Sequence, residues 1–312
     1  MSAAVEKESE MMSCASCGIA GVDDVKLKDC DDCDLVKYCS DACQELHRPQ
    51  HEEECKKRAA ELKDEILFKQ PESNHLGDCP ICSLPIPVDP SKYTCNICCG
   101  KILCQGCNAA IKKRVILEES LQEKCPFCRK ALPTTDEEKL ERAMKRIEAN
   151  DPIAMRYMAT RRYEEGDYTA AIEYFSRAAE LGEVDAHYNL SILYREGEGV
   201  EKDKKKELHH LTEAAIGGHP IARQKLGVVE VESGCGSMDR LVKHLIIAAK
   251  LGDDTSLKCA KELYKDGHVS KEDFAVALRG HHAAIVAMKS PQREGAVAFE
   301  RLVERLVASV DI

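Results

Sequence analysis

The second half of the chain repeats a pattern of paired small apolar residues followed by glycine. The pattern occurs three times, at Ala178-Ala179 with Gly182, Ala214-Ala215 with Gly218, and Ala248-Ala249 with Gly252. A period of about 35 residues is typical of helical-hairpin repeats. Paired alanines let neighbouring helices approach closely, and glycine suits the turn after a helix. The pattern predicts a stack of antiparallel helix pairs.

Polar positions keep the same register. Asp167, Asp203, Asp239 and Asp273 recur where the second helix of each pair should begin. An aspartate there accepts hydrogen bonds from the first free backbone N–H groups of a helix. Each is therefore predicted to cap a second helix, while Leu190 and Leu226 fall on one common packing position.

Two further helices are predicted outside the repeats. Residues 56–71, KKRAAELKDEILFKQP, form an amphipathic pattern that Pro71 ends, which indicates a helical spacer. Thr135 followed three residues later by Glu138 is a capping-box signature. It predicts a linker helix within residues 135–150, from about Asp136 to Ala149.

The second repeat also carries a family signature. Its positions are Ala186, Leu190, Tyr194, Gly197, Gly199-Val200, Asp203, Lys204 and Ala214-Ala215. This segment resembles the Sel-one-like repeat, a relative of the tetratricopeptide repeat. The resemblance covers residues 153–290, with a C-terminal cap helix expected over residues 291–312. It implies an all-α solenoid of antiparallel helix pairs whose groove holds a protein partner.

The first half of the chain is unusually rich in cysteine. Aromatic residues make up only 4% of the chain and tryptophan is absent, but there are 18 cysteines, sixteen of them from Cys14 to Cys128. The N-terminus lacks a signal-peptide pattern, so we expect an intracellular protein, cytoplasmic or nuclear, with residues 1–13 disordered. Disulfides are rare in that environment, and closely spaced cysteines indicate zinc.

Charge and hydropathy exclude two classes of partner. The formal net charge of −10 is a poor match to a phosphate backbone, which argues against nucleic-acid binding. Nowhere do about 18 apolar residues run together, which argues against a membrane span.

The first cysteine cluster occupies residues 14–55. It contains two C-x-x-C pairs, then Cys39 with Cys43 and His51 with Cys55, each pair four residues apart and predicted to share one face of a short helix. The order resembles a MYND-type zinc finger. The resemblance implies two interleaved sites, one of Cys14, Cys17, Cys39 and Cys43 and the other of Cys30, Cys33, His51 and Cys55.

Two positions in this cluster bear on recognition. His47 is a competing histidine, but the family spacing favours His51. MYND fingers bind short proline-containing peptides through the position after the cysteine-glutamine pair and a nearby tryptophan; here Gln44 is present and Arg48 takes the tryptophan position. A purely structural zinc module is the alternative.

The second cluster occupies residues 79–130. CPIC, CCGKILCQGC and CPFCRK resemble an all-cysteine variant of the RING finger. The resemblance implies one zinc held by Cys79, Cys82, Cys104 and Cys107. Cys125 and Cys128 belong to the other, together with Cys99 and either Cys98 or Cys95. Cys95 with Cys98, leaving Cys99 free, is the alternative.

RING fingers commonly recruit a ubiquitin-conjugating enzyme and contribute no nucleophile, so their catalysis is positioning. The family's contact positions are Ile81, Pro126 and Arg129. The same residues also suit ordinary packing of zinc knuckles.

Together these features predict zinc-stabilised N-terminal modules with about four zinc ions, followed by an all-α solenoid. The favoured function is a non-enzymatic scaffold that binds protein partners through the solenoid groove and the MYND finger, with no catalytic residue and no further cofactor. The alternative is a RING-type ubiquitin ligase whose repeats bind substrate and whose partner is a conjugating enzyme.

Other cysteines and histidines are not predicted to bind metal. Cys235 and Cys259 have no partner at metal spacing and are expected to be buried apolar residues. Adjacent residues of a helix point in different directions, so neither His209 with His210 nor His281 with His282 is expected to share an ion.

Overall fold

The structure is a computed structural model that describes residues 13–21, 26–117 and 124–296. The predicted disordered N-terminus lies outside the described residues except for Ser13. The predicted cap helix is described only to Ala296, and residues 291–296 are helical. The chain divides into two units, Met1–Lys69 and Gln70–Ile312.

The first unit is a small hairpin followed by one long helix. Strands β1 (Lys28–Asp29) and β2 (Lys37–Tyr38) pair antiparallel, and helix α1 runs from Asp41 to Leu67. Ser40 caps α1 by accepting a hydrogen bond from the Cys43 N–H. The predicted spacer is therefore the second half of a helix that begins inside the first cysteine cluster, and it ends four residues before Pro71.

The second cysteine module opens the second unit. A short 3₁₀ turn, Pro90–Lys92, leads into strand β3 (Tyr93–Cys95), which pairs antiparallel with β4 (Ile102–Cys104). Helix α2 (Gln105–Leu117) follows directly. Buried Ile86 and Leu103 complete a core made otherwise of cysteines. So small a core is typical of modules that metal or disulfides stabilise.

Nine helices with both ends described follow the second module, and the helical residues 291–296 come after them. Helix α3 is Asp136–Glu148, and the four pairs are α4 (Pro152–Glu164) with α5 (Tyr168–Glu180), α6 (Val184–Glu196) with α7 (Lys204–Ile216), α8 (Pro220–Glu232) with α9 (Met238–Lys250), and α10 (Asp254–Lys265) with α11 (Lys271–Ala287). Thr135 caps α3 as predicted, by accepting from the Glu138 N–H at 3.2 Å. The Glu138 carboxylate accepts in turn from the Thr134 N–H, one residue earlier than the capping box implies.

The paired alanines form the seams of the solenoid. Ala178, Ala214 and Ala248 are completely buried, as expected for residues that let backbones approach. Leu190 and Leu226 are both 1% exposed. The glycines of the pattern have φ of +82°, +83° and +92°, the left-handed conformation that follows a helix end. The predicted helix-pair architecture is confirmed.

Two of the four predicted aspartate caps are wrong. Asp167 and Asp203 cap α5 and α7. In the third and fourth pairs, however, Ser237 caps α9 and Ser270 caps α11, and the aspartates lie within the first helical turn. A serine hydroxyl satisfies the same free N–H groups, and an acidic residue in the first turn still favours the helix dipole.

The second cysteine module is tied to the helices by hydrogen bonds over long sequence separations. Arg146 of α3 donates to the Ile97 carbonyl at 2.8 Å and pairs with Asp151. Arg293 donates to the carbonyls of Pro85, Leu84 and Met288 and to the Cys82 sulfur. The module and the repeats therefore fold as one unit.

Candidate metal centres

The folded chain gathers sixteen donor atoms into four groups. The groups are Cys14, Cys17, Cys39 and Cys43; Cys30, Cys33, His51 and Cys55; Cys79, Cys82, Cys104 and Cys107; and Cys98, Cys99, Cys125 and Cys128. Within each group the donor atoms all lie within 4.8 Å of one another. Every one of these cysteines is a free thiol. Three groups contain the same residues as the sets that the two resemblances imply, and the fourth contains Cys98 and Cys99 from the three cysteines left open.

Distances within the groups fit zinc and exclude disulfides. The sulfurs of Cys17 and Cys39 are 3.5 Å apart, and those of Cys82 and Cys104 are 3.8 Å apart. A disulfide is about 2.05 Å long. Zinc bound to four sulfurs at about 2.3 Å separates them by roughly 3.8 Å, the edge of a tetrahedron. The donor set and its spacing therefore match a structural zinc site.

The two histidines of α1 have different roles. The Nε2 atom of His51 lies 3.1 Å from the Cys33 sulfur, and its side chain is buried. Burial lowers the pKa of the His51 imidazole, which favours the neutral form that binds metal. His47 instead pairs its Nδ1 with the Tyr38 hydroxyl at 3.0 Å. The geometry thus brings His51, not His47, to the cysteines.

One local prediction about the first cluster is wrong. Cys39 and Cys43 do not share a helix face, because Cys39 precedes the capping residue Ser40 and only Cys43 lies in α1. The two sulfurs still lie 3.6 Å apart. His51 and Cys55, also four residues apart, do share a face of α1, as the spacing predicts.

Four tight turns in the two modules share one backbone pattern. They begin at Cys14, Cys79, Asn96 and Cys125. In each, the N–H of the fifth residue donates to the first carbonyl, and the N–H of the first donates to the sixth carbonyl. The fifth residues all have positive φ, and they are Gly18, Ser83, Gly100 and Arg129. Three of these turns place cysteine at the first and fourth positions.

The third turn resolves the position of the ambiguous cysteines. It begins at Asn96, so Cys99 occupies the fourth position and Cys98 the third. Both sulfurs join those of Cys125 and Cys128. Cys95 instead ends strand β3 opposite Ile102, and burial raises the pKa of its thiol. Gly100, with φ of +71°, was the sequence signal, because it marks the fifth residue of the turn.

Backbone N–H groups favour the thiolate form at two of these turns. Burial raises the pKa of the Cys14 thiol, but hydrogen bonds from three backbone N–H groups outweigh it and bring that pKa to about 6. At Cys79 burial is again opposed by three backbone N–H groups, and the pKa falls to about 7. Because the thiolate is the metal-binding form, these turns are prepared for a cation.

A fifth group, His75, Asp185 and His219, was not predicted from the sequence. Its donor atoms also lie within 4.8 Å of one another. The two imidazole rings stack at 4.3 Å with their planes 8° apart, so their in-plane lone pairs do not converge on one ion. The Nδ1 of His219 accepts from the Ala222 N–H at 3.2 Å, which leaves its proton on Nε2. This group does not fit a metal ion.

The fifth group instead joins the second module to the repeats. The Nε2 of His75 lies 2.9 Å from Asp185, and the His75 N–H donates to the Gly218 carbonyl at 3.1 Å. Burial raises the pKa of Asp185, but its hydrogen bond with His75 and the nearby cations hold the pKa well below its usual range. Arg156 lies 3.5 Å from the same carboxylate. The ionised Asp185 of α6 thus binds His75, four residues before the first cysteine of the second module.

A cavity of about 700 Å³ lies along α1 beside the first cysteine cluster. Gln44 of the cysteine-glutamine pair, Glu45 directly after it and Arg48 at the family's tryptophan position all line it. Gln44 donates to Asp31 at 3.1 Å. Arg48 lies 4.0 Å from Asp32, and both side chains are largely exposed.

The three contact positions of the RING resemblance all lie at the surface. Ile81 is 45% exposed, and Pro126 and Arg129 are exposed as well. None of the helices in the described residues is long and apolar enough to cross a membrane.

Known protein families match the first cysteine module and two of the repeats. Residues 14–55 match the MYND finger, and residues 152–183 and 184–219 each match the Sel1 repeat. The second cysteine module lies outside both matches.

Individual relatives share only part of the chain. DAP3-binding cell death enhancer 1 of Mus musculus is 25% identical over 203 residues, 53% of this chain and 39% of the mouse protein. Protein SHC1 of Saccharomyces cerevisiae is 31% identical over 124 residues, 36% of this chain and 24% of the yeast protein. The chain thus spans less than half the length of either relative. A solved Sel1 repeat protein from Oxalobacter formigenes is 23% identical, with 59% of this chain and 72% of that one covered and a TM-score of 0.44.

Proposed function

We propose that the chain is a protein-interaction scaffold in which zinc builds two cysteine modules and the repeats carry partner surfaces. The observation that carries this proposal is the donor count: each of the four groups supplies four protein donors. Four donors complete a tetrahedral site and leave no position for water or substrate. Zinc bound there would supply folding energy and no reaction centre.

The zinc assignment has a direct test. Native mass spectrometry of the full chain should find four zinc ions, one for each group. Replacement of Cys99 by serine should remove one ion, and replacement of Cys95 by serine should remove none. Loss of an ion in Cys95→Ser, together with four ions in Cys99→Ser, would show that Cys95 and not Cys99 binds zinc.

The cavity on α1 is the proposed peptide site. Arg48 stands where the family has tryptophan, and its ion-pair partner Asp32 is 4.0 Å away at the exposed rim, while Glu52 of the same cavity acts on it more weakly. A loosely paired guanidinium can exchange that contact for a carboxylate of a ligand. The proposed ligand is therefore a proline-containing peptide with an acidic residue. The name of the mouse relative, which describes binding to another protein, is consistent with such a role.

Charge reversal tests this preference. Fluorescence polarisation should show that the full chain binds a proline peptide carrying glutamate more tightly than the same peptide carrying lysine. The Arg48→Glu variant should reverse that order. Gln44→Ala should weaken both peptides, whereas Gln50→Ala, an exposed glutamine of the same helix outside the cavity, should change neither. An unchanged preference in Arg48→Glu would overturn the peptide proposal.

A second candidate function is that of a RING-type ubiquitin ligase. Exposure of Ile81, Pro126 and Arg129 is the observation that favours it, since a conjugating enzyme must reach all three. The test is autoubiquitination with purified components across a panel of conjugating enzymes. A ligase would form chains that Ile81→Ala abolishes and Ile19→Ala preserves, because Ile19 is an equally exposed isoleucine beside a turn of the first module. If no conjugating enzyme supports chain formation, the ligase candidate is rejected and the scaffold function remains.

A further inference from the structure

Helices α5, α6 and α7 surround a cavity of about 510 Å³ lined by histidines and carboxylates. His187 comes from α6, His210 and Glu213 come from α7, and Glu180 comes from α5. These residues belong to the first two repeats and lie apart from the cysteine groups. Neither the scaffold function nor the zinc modules accounts for so many potential metal ligands in one place.

Two of the imidazoles already face each other. The Nδ1 of His187 lies 3.0 Å from the Nδ1 of His210, although the residues are 23 positions apart. Two nitrogens bound to one tetrahedral zinc at about 2.05 Å are separated by roughly 3.3 Å. The observed separation is a few tenths of an ångström shorter, because the two nitrogens share a hydrogen bond. A cation would replace that proton, and the rings, tilted by 45° to each other, would turn to aim both lone pairs at it.

Surrounding groups hold both rings in place. The His187 side chain hydrogen-bonds to the backbone of Ala179, and a metal-binding histidine is commonly oriented by such a contact. The ring of His210 stacks on Tyr194, with centroids 5.6 Å apart and planes 9° apart. Burial and neighbouring histidines lower the pKa of His210 to about 4, so its imidazole is neutral at physiological pH.

A carboxylate is available to complete the set. Glu213 follows His210 by three residues and therefore lies on the same face of α7. Its charge acts on His187 from across the cavity, since it opposes the lowering of that histidine's pKa. In the structure the exposed Glu213 carboxylate does not lie with the two nitrogens, and it would turn inward to reach an ion between them. Two histidines and one glutamate are a known zinc ligand set with an open coordination position.

We propose that His187, His210 and Glu213 form a metal site of the solenoid that binds a divalent cation with a preference for imidazole, zinc being the cation to test. Lys206, whose ammonium lies 4.9 Å over the Tyr194 ring, brings a positive charge close enough to act on His210. It weakens the field felt by a cation, so this site binds less tightly than the cysteine groups. Such a difference in affinity lets the two kinds of site be filled in separate steps.

The experiment uses the full chain with its cysteine groups kept loaded by dialysis against a nanomolar zinc buffer. Isothermal titration with zinc chloride should then show one further ion bound. His187→Gln and His210→Gln should each weaken that step by more than about tenfold, the loss expected for a ligand of a metal site. His268→Gln, an exposed histidine in a distant turn, should leave the step unchanged.

Glu213→Gln separates a loss of metal binding from a loss of folding, because this exposed residue can change without disturbing the core. It should melt like the wild type and still bind the additional ion more weakly. NMR signals of the His187 and His210 ring nitrogens should shift as the ion binds, at zinc concentrations that leave the cysteine groups unchanged. No additional ion at millimolar zinc, or binding by both histidine variants as tight as that of the wild type, would show that the 3.0 Å contact is only a hydrogen bond.

Discussion

The two cysteine modules have equal numbers of metal donors but very different surroundings. The first has a core of Cys14, Cys30, Cys33 and Tyr38 and forms its own unit with α1. The second shares a unit with nine helices and is held by Arg146, His75 and Arg293. The difference teaches that the same zinc chemistry can support an independent finger or a part of a larger core. Loss of zinc from the first module should therefore leave the repeats stable, whereas loss of zinc from the second should destabilise them.

Loss of a metal donor should give the largest effect. Cys33→Ser should remove one zinc and unfold the first unit, because structural zinc contributes on the order of 10 kcal/mol to such small folds. The melting temperature of the repeats should not change. Cys79→Ser should also remove one zinc but lower that melting temperature, since the repeats lose their contacts with the second module. Calorimetry combined with native mass spectrometry measures both, and equal melting of the repeats in the two variants would contradict the comparison.

A loss of intermediate size is expected when Glu230 of α8 loses its charge. Burial raises the pKa of Glu230, but hydrogen bonds from His244 and Arg240 lower it further, to about 2. A depressed carboxyl pKa stabilises the fold above the unfolded value of 4.5, and that stability is lost as the pH falls toward 2. Glu230→Gln should therefore cost about 3 kcal/mol at neutral pH.

Urea unfolding at a series of pH values tests this prediction. The difference between wild type and Glu230→Gln should be constant above about pH 5 and shrink below pH 4.5. Glu232→Gln, at an exposed glutamate of the same helix, provides the control for the loss of one negative charge. A difference that grows as the pH falls would contradict the assigned sign.

Arg293 gives a similar or slightly smaller effect at the joint between the second module and the end of the repeats. Its guanidinium satisfies three carbonyls and one sulfur, so Arg293→Ala should destabilise the second unit by about 2 kcal/mol. Arg279→Ala, an exposed arginine of α11, should cost nothing measurable. The first unit should be unaffected by either change, as hydrogen exchange of its amides can show.

The smallest effect is expected at Arg129. This residue has φ of +59° at the fifth position of a turn, where a side chain costs roughly 1 kcal/mol relative to glycine. Arg129→Gly should therefore stabilise the second module slightly, while Lys130→Gly should not. If the ligase candidate is correct, the same stabilised variant should lose activity, because it removes the cation. Loss of both stability and activity would mean that the side chain matters to the fold.

Sequence reasoning succeeded where the chemistry is local. Paired alanines and glycines after helices each act within one repeat, and they predicted the helix pairs. The C-x-x-C spacings indicated metal, whereas the division of the cysteines into four groups followed from the two family resemblances and left Cys95, Cys98 and Cys99 open. It was wrong about Asp239 and Asp273 because serines two or three residues earlier were equally good caps. It was wrong about the helix at Cys39 because spacing alone does not fix where a helix begins.

Contacts between distant segments could not be predicted. His75 meets Asp185 across 110 positions and Arg293 meets Pro85 across 208, and no periodicity connects such residues. The pairing of His187 with His210 is of the same kind, because each histidine alone is an ordinary helix residue. Only the packed helices bring their rings together.

The shared turn has a consequence for anyone who designs or engineers metal-binding loops. Its backbone pattern is kept at Asn96, where the first position is not a cysteine at all. The conformation is therefore set by the positive φ of the fifth residue and by two main-chain hydrogen bonds, and the positions of the sulfurs are a separate choice. The backbone of such a loop could be grafted into another protein, and metal ligands could then be placed at its first, third or fourth position to suit a chosen ion.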